Sequence, residues 1–420
     1  MIRRQGTLLL VCAASLLWLR SGNGQDTPEA PGGKSSREKI RAALQSTRGA
    51  LDGAAELTPL FERLYRLAAG QTESVHILHF GDSHTAADEW TAGLRNLFQE
   101  RFGAGGSGFS VAGHPFAGYR RFDVSGGATG NWTAAGLHSA AGDGYFGLGG
   151  VSISADRAGQ SVYVDTECDL LEIHYLQQPN GGGVALYDNG ALLREFSTAG
   201  DLQPAFLALD TTPGTHRFLL KTTSPKPVRL FGWVADKRKG VTYEALGLNG
   251  ARASIMLHWN EEMLATYLRR RNPALIVLAY GTNDSSDYQS TAHYQELFSK
   301  LLKRLRHMVP ETTILVIGPP DGYMRSHGRL HPMPEMDGII AAQQSACREN
   351  RCAFWDLREH MGGIGSMRDW ELAGLAQRDY IHFSPTGYRN IAEALFADLI
   401  RYYNTYDRVR SQLIGRNSHE

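Results

Sequence analysis

The chain has 420 residues, which is enough for two domains of ordinary size, and its hydrophobic share of 42% and charged share of 20% are typical of a globular protein. Lys plus Arg and Asp plus Glu both number 43, so the formal net charge is zero. The chain therefore lacks the net positive charge that is typical of proteins that bind nucleic acid or anionic membranes. We expect neither of these as a partner on grounds of charge.

The N-terminus is typical of a secretory signal. Arg3 and Arg4 precede an apolar run at residues 7–19, and small or polar residues follow. The run is too short to span a bilayer comfortably, so residues 1–24 are predicted to be a signal peptide or, if uncleaved, an N-terminal anchor. Residues 25–37 are rich in Gly, Pro, Ser and charge, which predicts a disordered linker. We therefore expect an exported protein, periplasmic or secreted, that contacts the membrane only through an uncleaved N-terminal segment.

The first part of the mature chain has an α/β pattern. A helical stretch leads to a short apolar strand at residues 75–80, and this strand runs directly into Gly81-Asp82-Ser83. Apolar residues at helical spacing then predict a helix over 88–102, which Gly103 ends.

The pattern changes between about residues 104 and 240. Gly, Ser and Thr become frequent, and short alternating runs are separated by turn signals such as Pro213-Gly214. Regularly spaced short strands of this kind predict an all-β sandwich of two sheets. The predicted strands include residues 161–164, 170–175, 184–187, 217–221 and 228–234.

Four aromatic residues of this β region allow two interpretations. Trp132, Tyr145, Phe146 and Trp233 could form a surface on which sugar rings stack. Aromatic side chains in a small sandwich more often form its core, and we favour that interpretation.

After residue 240 the α/β pattern returns. The predicted elements are strands at 274–280, 313–317 and 352–355 and helices at 290–308, 336–350 and 386–404, the last opened by Ser384 as N-cap and Pro385 as first helical residue. Continuous apolar strands that alternate with helices predict a parallel sheet covered on both faces. We therefore predict one discontinuous α/β domain, residues 38–110 and 240–410, with residues 111–239 inserted as a carbohydrate-module-like β-sandwich.

The cysteines give little evidence of redox or metal chemistry. Of the four, Cys12 lies in the predicted signal and Cys168 is expected to be packed in a core. Cys347 and Cys352 are five residues apart, and either a short-loop disulfide or two buried thiols fits an exported protein. No Cys/His cluster has zinc spacing, so no metal is expected.

The first candidate for chemistry is Ser83. It stands at the carboxyl end of a predicted parallel strand, where open α/β sheets place their functional sites. Its hydroxyl could act as a nucleophile, and its own amide could help to bind an oxyanion. Alone, the tripeptide Gly81-Asp82-Ser83 is equally compatible with an ordinary turn at a strand end.

A base for this serine is available just before the last helix. Asp379 and His382 are three residues apart on a loop, so the carboxylate could hold one ring nitrogen while the other faces the serine. The alternative is a helix-capping aspartate beside a surface histidine.

Two further residues could bind an oxyanion. Asn283 follows the apolar strand at 274–280, and its side-chain amide is a donor. Gly250 allows close approach of a ligand to its backbone N–H. Each is also compatible with a simple turn, and only their occurrence together with the serine and the Asp-His pair indicates a hydrolase site.

The short motifs that contain these residues resemble the characteristic sequence blocks of the SGNH (GDSL-like) hydrolase superfamily. Its characteristic Ser, Gly, Asn and His match Ser83, Gly250, Asn283 and His382, and its Asp, three residues before the His, matches Asp379. The resemblance covers residues 70–110 and 240–405 and implies a flavodoxin-like three-layer α/β sandwich. The motif around Ser83 extends to Gly-Asp-Ser-His-Thr-Ala-Ala-Asp, and the β region lies between this motif and the one that contains Gly250. Both features resemble periplasmic peptidoglycan O-acetylesterases, in which a jelly-roll-like β domain is inserted at the same place.

The resemblance implies a serine esterase that removes O-acetyl groups from a polysaccharide, with peptidoglycan as the expected substrate and no cofactor. Ser83, His382 and Asp379 would form the catalytic triad, and the amides of Ser83 and Gly250 with the Asn283 side chain would form the oxyanion hole. An O-acetyltransferase, a lipase or thioesterase, and a non-catalytic cell-wall binding protein remain alternatives. His84, Asp88, His79 and His76 are interpreted as framework residues.

Overall fold

The computed structural model describes residues 33–136, 142–286, 290–327 and 329–417, so the predicted signal peptide and residues 25–32 lie outside the described part. A helix begins at Gly33, so the prediction of a disordered linker is wrong for residues 33–37. Ile40 and Leu44, one helical turn apart, are buried in the hydrophobic cluster that includes residues of the C-terminal helix. This tertiary burial stabilises a helix whose polar start resembles a linker.

The elements of the described ranges are numbered in chain order. The strands are β1 (Leu51–Asp52), β2 (Ser74–Gly81), β3 (Gly106–Val111), β4 (Ser125–Thr129), β5 (Thr133–Ala135), β6 (Ser152–Ala155), β7 (Ser161–Glu167), β8 (Leu170–Gln177), β9 (Gly183–Asp188), β10 (Ala191–Ser197), β11 (Gln203–Asp210), β12 (Thr215–Thr222), β13 (Val228–Asp236), β14 (Gly240–Gly247), β15 (Leu275–Ala279), β16 (Thr313–Ile317), β17 (Tyr323–Ser326), β18 (Arg329–Pro332) and β19 (Ala353–Trp355). The helices are α1 (Gly33–Ser46), α2 (Thr58–Ala68), α3 (Ser83–Ala86), α4 (Glu89–Phe102), α5 (Glu261–Arg271), α6 (Thr291–Met308), α7 (Met336–Glu349), α8 (Leu357–Met361), α9 (Ser366–Leu372) and α10 (Pro385–Asn417).

A six-stranded sheet in the order β1-β19-β16-β15-β2-β14 forms the centre of the α/β region. The strands from β19 to β14 run parallel, and only the short edge strand β1 is antiparallel to its neighbour. The carboxyl ends of β2, β14 and β15 therefore lie at one edge of the sheet, next to each other.

Helices cover both faces of this sheet, as the apolar strands predict. Leu78, Phe80 and Leu278 point to one face and pack with residues of α5, α6 and α7. Ile77 and Val277, one position earlier along the same strands, point to the other face and pack with α2, α4 and α10. The architecture is therefore a three-layer α/β sandwich.

Strands β3 to β13 form a second, antiparallel region, which we define as residues 106–236. One sheet has the order β10-β9-β12-β7-β4, and the other has β11-β8-β13-β6-β5 with β3 paired to β13. The core between them is apolar and includes Val164, Phe218 and Trp233. Trp233 lies in this core, so the interpretation as sandwich core is confirmed for Trp233. Phe146 is also buried, but in the cluster that includes residues of α5. Trp132 is partly buried against the core between the sheets, and Tyr145 against the cluster that includes α5.

The antiparallel region is not independent of the α/β region. Phe109, Leu176 and Phe231 belong to the same hydrophobic cluster as the residues of α5. The hydroxyl of Tyr267 on α5 lies 3.0 Å from the carbonyl oxygen of Tyr175 on β8. Strand β3 also falls almost wholly within the predicted catalytic segment 38–110, yet it pairs with β13. The boundary of the β region thus lies about five residues earlier than 111.

The structure also bears on the end and the cap of the last helix and on the two neighbouring cysteines. Helix α10 runs to Asn417, beyond the predicted end at 404, because residues such as Tyr406 continue its buried face. The Ser384 hydroxyl accepts the Gly387 N–H at 3.2 Å, which confirms its capping role. Cys347 and Cys352 are buried free thiols and form no disulfide. Within the described residues, no helix combines the length and apolarity that a bilayer crossing requires.

Candidate active site

Ser83 lies at a sharp turn from strand to helix. β2 ends at Gly81, where a side chain would come within 2.2 Å of the Thr85 hydroxyl and 2.8 Å of the Ala279 carbonyl oxygen, so only glycine fits. Asp82 caps the short helix α3 by accepting the His84 N–H at 3.0 Å. Ser83 is the first residue of that helix and half-buried, and its N–H has no acceptor within the helix because first-turn amides have none.

The structure brings the three predicted catalytic side chains together. The Ser83 Oγ lies 2.9 Å from His382 Nε2, and His382 Nδ1 lies 2.7 Å from Asp379 Oδ2. The backbone amides of Ile381 and His382 both donate to Asp379 Oδ1 at 2.9 Å, so the carboxylate is held by its own loop. Tyr380 has a φ of 60°, and this left-handed residue allows Asp379 and His382 to face each other.

The electrostatics of the pair favour an ionised carboxylate and a basic ring. The hydrogen bond to Asp379 raises the pKa of His382 above its ordinary value, against the opposing effect of burial. Burial alone would raise the pKa of Asp379, but the hydrogen bonds from the His382 ring and the two loop amides outweigh it and lower that pKa to about 2. The ring can therefore accept a proton while Asp379 remains charged.

Asn283 connects the nucleophile turn with the Gly250 turn. Its Nδ2 donates to the carbonyl oxygen of Ala251 at 3.0 Å and to Asp82 Oδ2 at 3.3 Å. Gly250 is exposed, has a φ of 73° and has no atom within 4 Å of the position of a side chain. The three predicted oxyanion donors therefore come from neighbouring turns, and we call the space beside these turns and His382 the crevice. The Gly250 turn leaves room there for a ligand.

Buried polar residues lie next to Ser83 on the interior side of the crevice. The ring Nδ1 of His84 lies 2.9 Å from the Tyr388 hydroxyl on α10, and burial lowers the pKa of His84 to about 3, so its ring is neutral. Burial raises the pKa of Asp82 to about 7. The sequence did not indicate a role for Tyr388, and only its helical spacing after Pro385 would have placed it near the site.

The framework interpretation of the remaining polar residues agrees with their contacts. His76 and His79 hydrogen-bond through Nδ1 to Thr242 and Tyr243 of the neighbouring strand, at 3.0 and 2.9 Å. Asp88 is fully buried and accepts from Arg95 Nη2 at 2.8 Å.

Asp88 also forms a hydrogen bond with the antiparallel region. Its Oδ2 accepts the Phe122 N–H at 2.8 Å, which fixes the end of the segment 112–122 that follows β3. The same segment contacts the Gly250 turn, where Asn249 Nδ2 lies 3.5 Å from the Ala117 carbonyl oxygen. One wall of the crevice therefore belongs to the antiparallel region.

Residues 221–389 match the model of the GDSL-like Lipase/Acylhydrolase family. The matched segment contains Gly250, Asn283, Asp379 and His382, whereas Ser83 lies outside it. No curated protein sequence matches the chain.

Among solved structures, a peptidoglycan O-acetylesterase is similar to this chain with a TM-score of 0.71 and 26% identity, covering 85% of this chain and 99% of that one. A family two carbohydrate esterase from Cellvibrio japonicus has a TM-score of 0.29 and 11% identity, with coverage of 67% and 98%. A salicylyl-acyltransferase from a tetracycline biosynthetic pathway has a TM-score of 0.29 and 14% identity, with coverage of 66% and 96%. Of these three structures, the peptidoglycan O-acetylesterase alone shares the overall fold at a TM-score above 0.5. The family match and the likeness to the peptidoglycan O-acetylesterase confirm the resemblance to the superfamily: the chain carries a GDSL-like lipase/acylhydrolase domain and is a hydrolase of carboxylic esters.

Proposed function

We propose that the protein is an O-acetylesterase that releases acetate from O-acetylated peptidoglycan, with Ser83 as nucleophile, His382 as general base and Asp379 as the group that orients it. The observation that carries this proposal is the unbroken hydrogen-bonded chain from Ser83 through His382 to Asp379, whose His382 and Asp379 side chains are partly exposed to solvent. The likeness to a peptidoglycan O-acetylesterase over 85% of the chain supports the choice of substrate.

In the first step, His382 Nε2 takes the hydroxyl proton of Ser83 while the serine oxygen attacks the acetyl carbonyl carbon. Negative charge develops on the carbonyl oxygen. The amides of Ser83 and Gly250 and the Asn283 side chain are the donors that stabilise it. His382 then gives the proton to the sugar oxygen, which leaves, and the acetyl group remains on Ser83.

In the second step, His382 activates a water molecule that attacks the acetyl-serine. The same donors stabilise the second oxyanion, and acetate leaves as the proton returns to Ser83. All the catalytic groups in these two steps are side chains or backbone amides of the protein. The proposed reaction therefore needs no metal or organic cofactor.

The hydrogen bonds of Asn283 indicate how its amide enters the reaction. Its contact with Asp82, at 3.3 Å, is longer than its contact with Ala251, at 3.0 Å. The longer bond is the weaker one, so it is the one that an oxyanion would replace.

We further propose that the protein acts outside the cytoplasm and that the antiparallel region contacts the polymeric substrate. The first point rests on the signal-like residues 1–24, since peptidoglycan lies outside the membrane. The second rests on the segment 112–122, which forms one wall of the crevice.

Purified protein tests the function directly. We expect acetate release from O-acetylated peptidoglycan, no release from peptidoglycan that has been de-O-acetylated with base, and no release by the Ser83→Ala variant. Transfer of acetyl to chitooligosaccharide in place of release would indicate an acetyltransferase. A preference for long-chain over acetyl nitrophenyl esters would indicate a lipase or thioesterase. Absence of release from acetylated peptidoglycan, with nitrophenyl acetate hydrolysed, would contradict the proposed substrate.

A further inference from the structure

A two-stranded hairpin, formed by β17 (Tyr323–Ser326) and β18 (Arg329–Pro332), lies beside the crevice. Strands β17 and β18 pair with each other in antiparallel fashion and belong to no larger sheet of the described residues. The hairpin follows β16 in the chain, so it starts at the carboxyl edge of the parallel sheet. Ser83 and Asn283 follow β2 and β15 at the same edge, where open α/β sheets bind their ligands.

The base of the hairpin is fixed to two parts of the active site. On its first strand, the Tyr323 N–H donates to the carbonyl oxygen of Tyr380, the residue after Asp379, at 3.0 Å. After its second strand, the Met333 N–H donates to Gly322 at 3.1 Å, which closes the base. Met333 Sδ also lies 3.1 Å from the hydroxyl of Ser285, two residues after Asn283. The hairpin therefore stands between the turn of the oxyanion donor and the loop of the acid-base pair.

The hairpin is positively charged in a chain whose formal net charge is zero. No acidic residue occurs from Gly322 to Pro334, whereas Arg325 and Arg329 are both exposed. Within the described residues, neither arginine lies within salt-bridge distance of a carboxylate. Many other arginines of the chain are paired in this way, such as Arg121 with Asp123.

The register of the strands spreads this charge over both faces. Arg325 lies opposite Leu330, and Arg329 lies opposite Ser326, one position further along. Because side chains alternate between the faces of a strand pair, the two arginines stand on opposite faces. Whichever face meets the substrate therefore presents a guanidinium group.

We propose that this hairpin binds carboxylate groups that flank the acetylated sugar in the polymer. The inference rests on the proposed function and names a part of the substrate that the reaction itself does not touch. Guanidinium groups bind carboxylates in forked geometry. The glycan of peptidoglycan bears peptide branches with free carboxylates, so anions occur at regular distances from each acetyl ester. The hairpin contributes to polymer affinity, while a small neutral ester does not need it.

The test compares two double variants of equal charge change. Arg325→Gln with Arg329→Gln removes the hairpin charge, and Lys300→Gln with Lys303→Gln removes two exposed charges on α6. We expect the hairpin variant to lose about 3- to 10-fold in kcat/KM on O-acetylated peptidoglycan, through KM, with its nitrophenyl acetate rate unchanged. The α6 variant should match the parent on both substrates. High ionic strength should bring the parent down to the hairpin variant, because salt screens exposed charges.

A second arm identifies the anion. Coupling the carboxylates of the substrate to a neutral amine should remove the difference between parent and hairpin variant. A difference that persists on this blocked substrate, or equal efficiencies of the hairpin and α6 variants on untreated substrate, overturns the inference.

Binding can be measured apart from turnover. Cosedimentation of Ser83→Ala protein with insoluble peptidoglycan, with and without the hairpin substitutions, reports the hairpin contacts even if the proposed reaction fails. We expect weaker binding when both arginines are replaced, and unchanged binding would contradict the proposal.

Discussion

The parallel sheet and the antiparallel region bury similar side chains but place polar residues differently. In the parallel sheet, β2 and β15 end side by side, so Ser83 and Asn283, 200 positions apart in the sequence, meet at one edge. The antiparallel region turns its strands at both ends and keeps an apolar interior around Val164 and Phe218. The candidate reactive groups therefore gather where parallel strands end, while the antiparallel region contributes the segment 112–122 beside them.

The two regions are nevertheless joined by buried charges. Arg271 on α5 donates to Asp236 on β13 and to Glu244 on β14, and Arg95 on α4 pairs with Asp123 of the antiparallel region at 3.3 Å. Excision of the antiparallel region would remove Asp236, and a buried charge without its partners is strongly destabilising. Point substitutions on each side of the boundary are therefore the appropriate way to compare the regions.

The largest expected effect is loss of the nucleophile or its base. Ser83→Ala and His382→Ala should each lower turnover by up to about a million-fold, and the double variant should be no worse, because the two residues act as one unit. The exposed Ser125 of β4 offers a control in the antiparallel region, and Ser125→Ala should retain parent rates. Nitrophenyl acetate hydrolysis on variants with unchanged circular dichroism measures this. A double variant that loses the product of the two single effects would refute the shared role.

Each region contains a hydrogen-bonded Asp-His pair. Asp379→Ala should lower kcat by about 10⁴-fold, since its loss leaves the ring without orientation. The acid limb of the kcat/KM profile should also move to lower pH, because the Asp379 hydrogen bond raises the pKa of His382 and the base acts when neutral.

The control pair lies in the antiparallel region, where His216 Nδ1 is 2.8 Å from Asp188 Oδ2. Asp188→Ala should leave both the rate and the pH profile unchanged. An acid limb that stays in place in Asp379→Ala would show that His382 is not the titrating base.

Loss of one oxyanion donor should have a smaller effect. Asn283→Ala should reduce kcat by about 100- to 1,000-fold with little change in KM, because the amide acts mainly when negative charge has developed. Steady-state kinetics with nitrophenyl acetate separate the two constants. A higher KM with unchanged kcat would instead make Asn283 a residue that binds the ground-state substrate.

The smallest expected effect on chemistry, and the clearest on stability, concerns the joint between the regions. Asp88→Ala removes the buried carboxylate that accepts both from Arg95 and from the Phe122 N–H of the antiparallel region, and it should lower the free energy of unfolding by about 3–5 kcal/mol. Asp210→Ala removes an exposed pair with Arg238 and should cost less than about 1 kcal/mol. Denaturant titration measures both. Equal costs would mean that the buried joint does not hold the regions together.

Much of the fold followed from apolar periodicity. The strand predicted at 313–317 agrees with β16, and the strand predicted at 75–80 lies within β2. Strand β14 was not recognised, although all eight of its residues are buried. Its polar residues Thr242 and Glu244 interrupt the apolar pattern of a buried strand, and Arg271, which donates to both, comes from a distant helix.

The candidate site was predictable for the groups that carry chemistry and less so for those that support them. Ser83, Gly250, Asn283, Asp379 and His382 were each indicated by a short motif, and the structure gathers them at one crevice. The hairpin of β17 and β18 was not predicted, because its exposed, charged strands lack the alternation that one buried face imposes. The position of the hairpin depends on contacts with residues far away in the chain.

Covalent labelling tests the central claim, that Ser83 is a nucleophile activated by His382, most directly. The protein is treated with a fluorophosphonate, which reacts with activated serines, and the adduct is located by peptide mass mapping. The account predicts one adduct, on the peptide that contains Ser83, absent in Ser83→Ala and formed far more slowly in His382→Ala. An adduct on a different serine, or labelling that proceeds unchanged in Ser83→Ala, would contradict it.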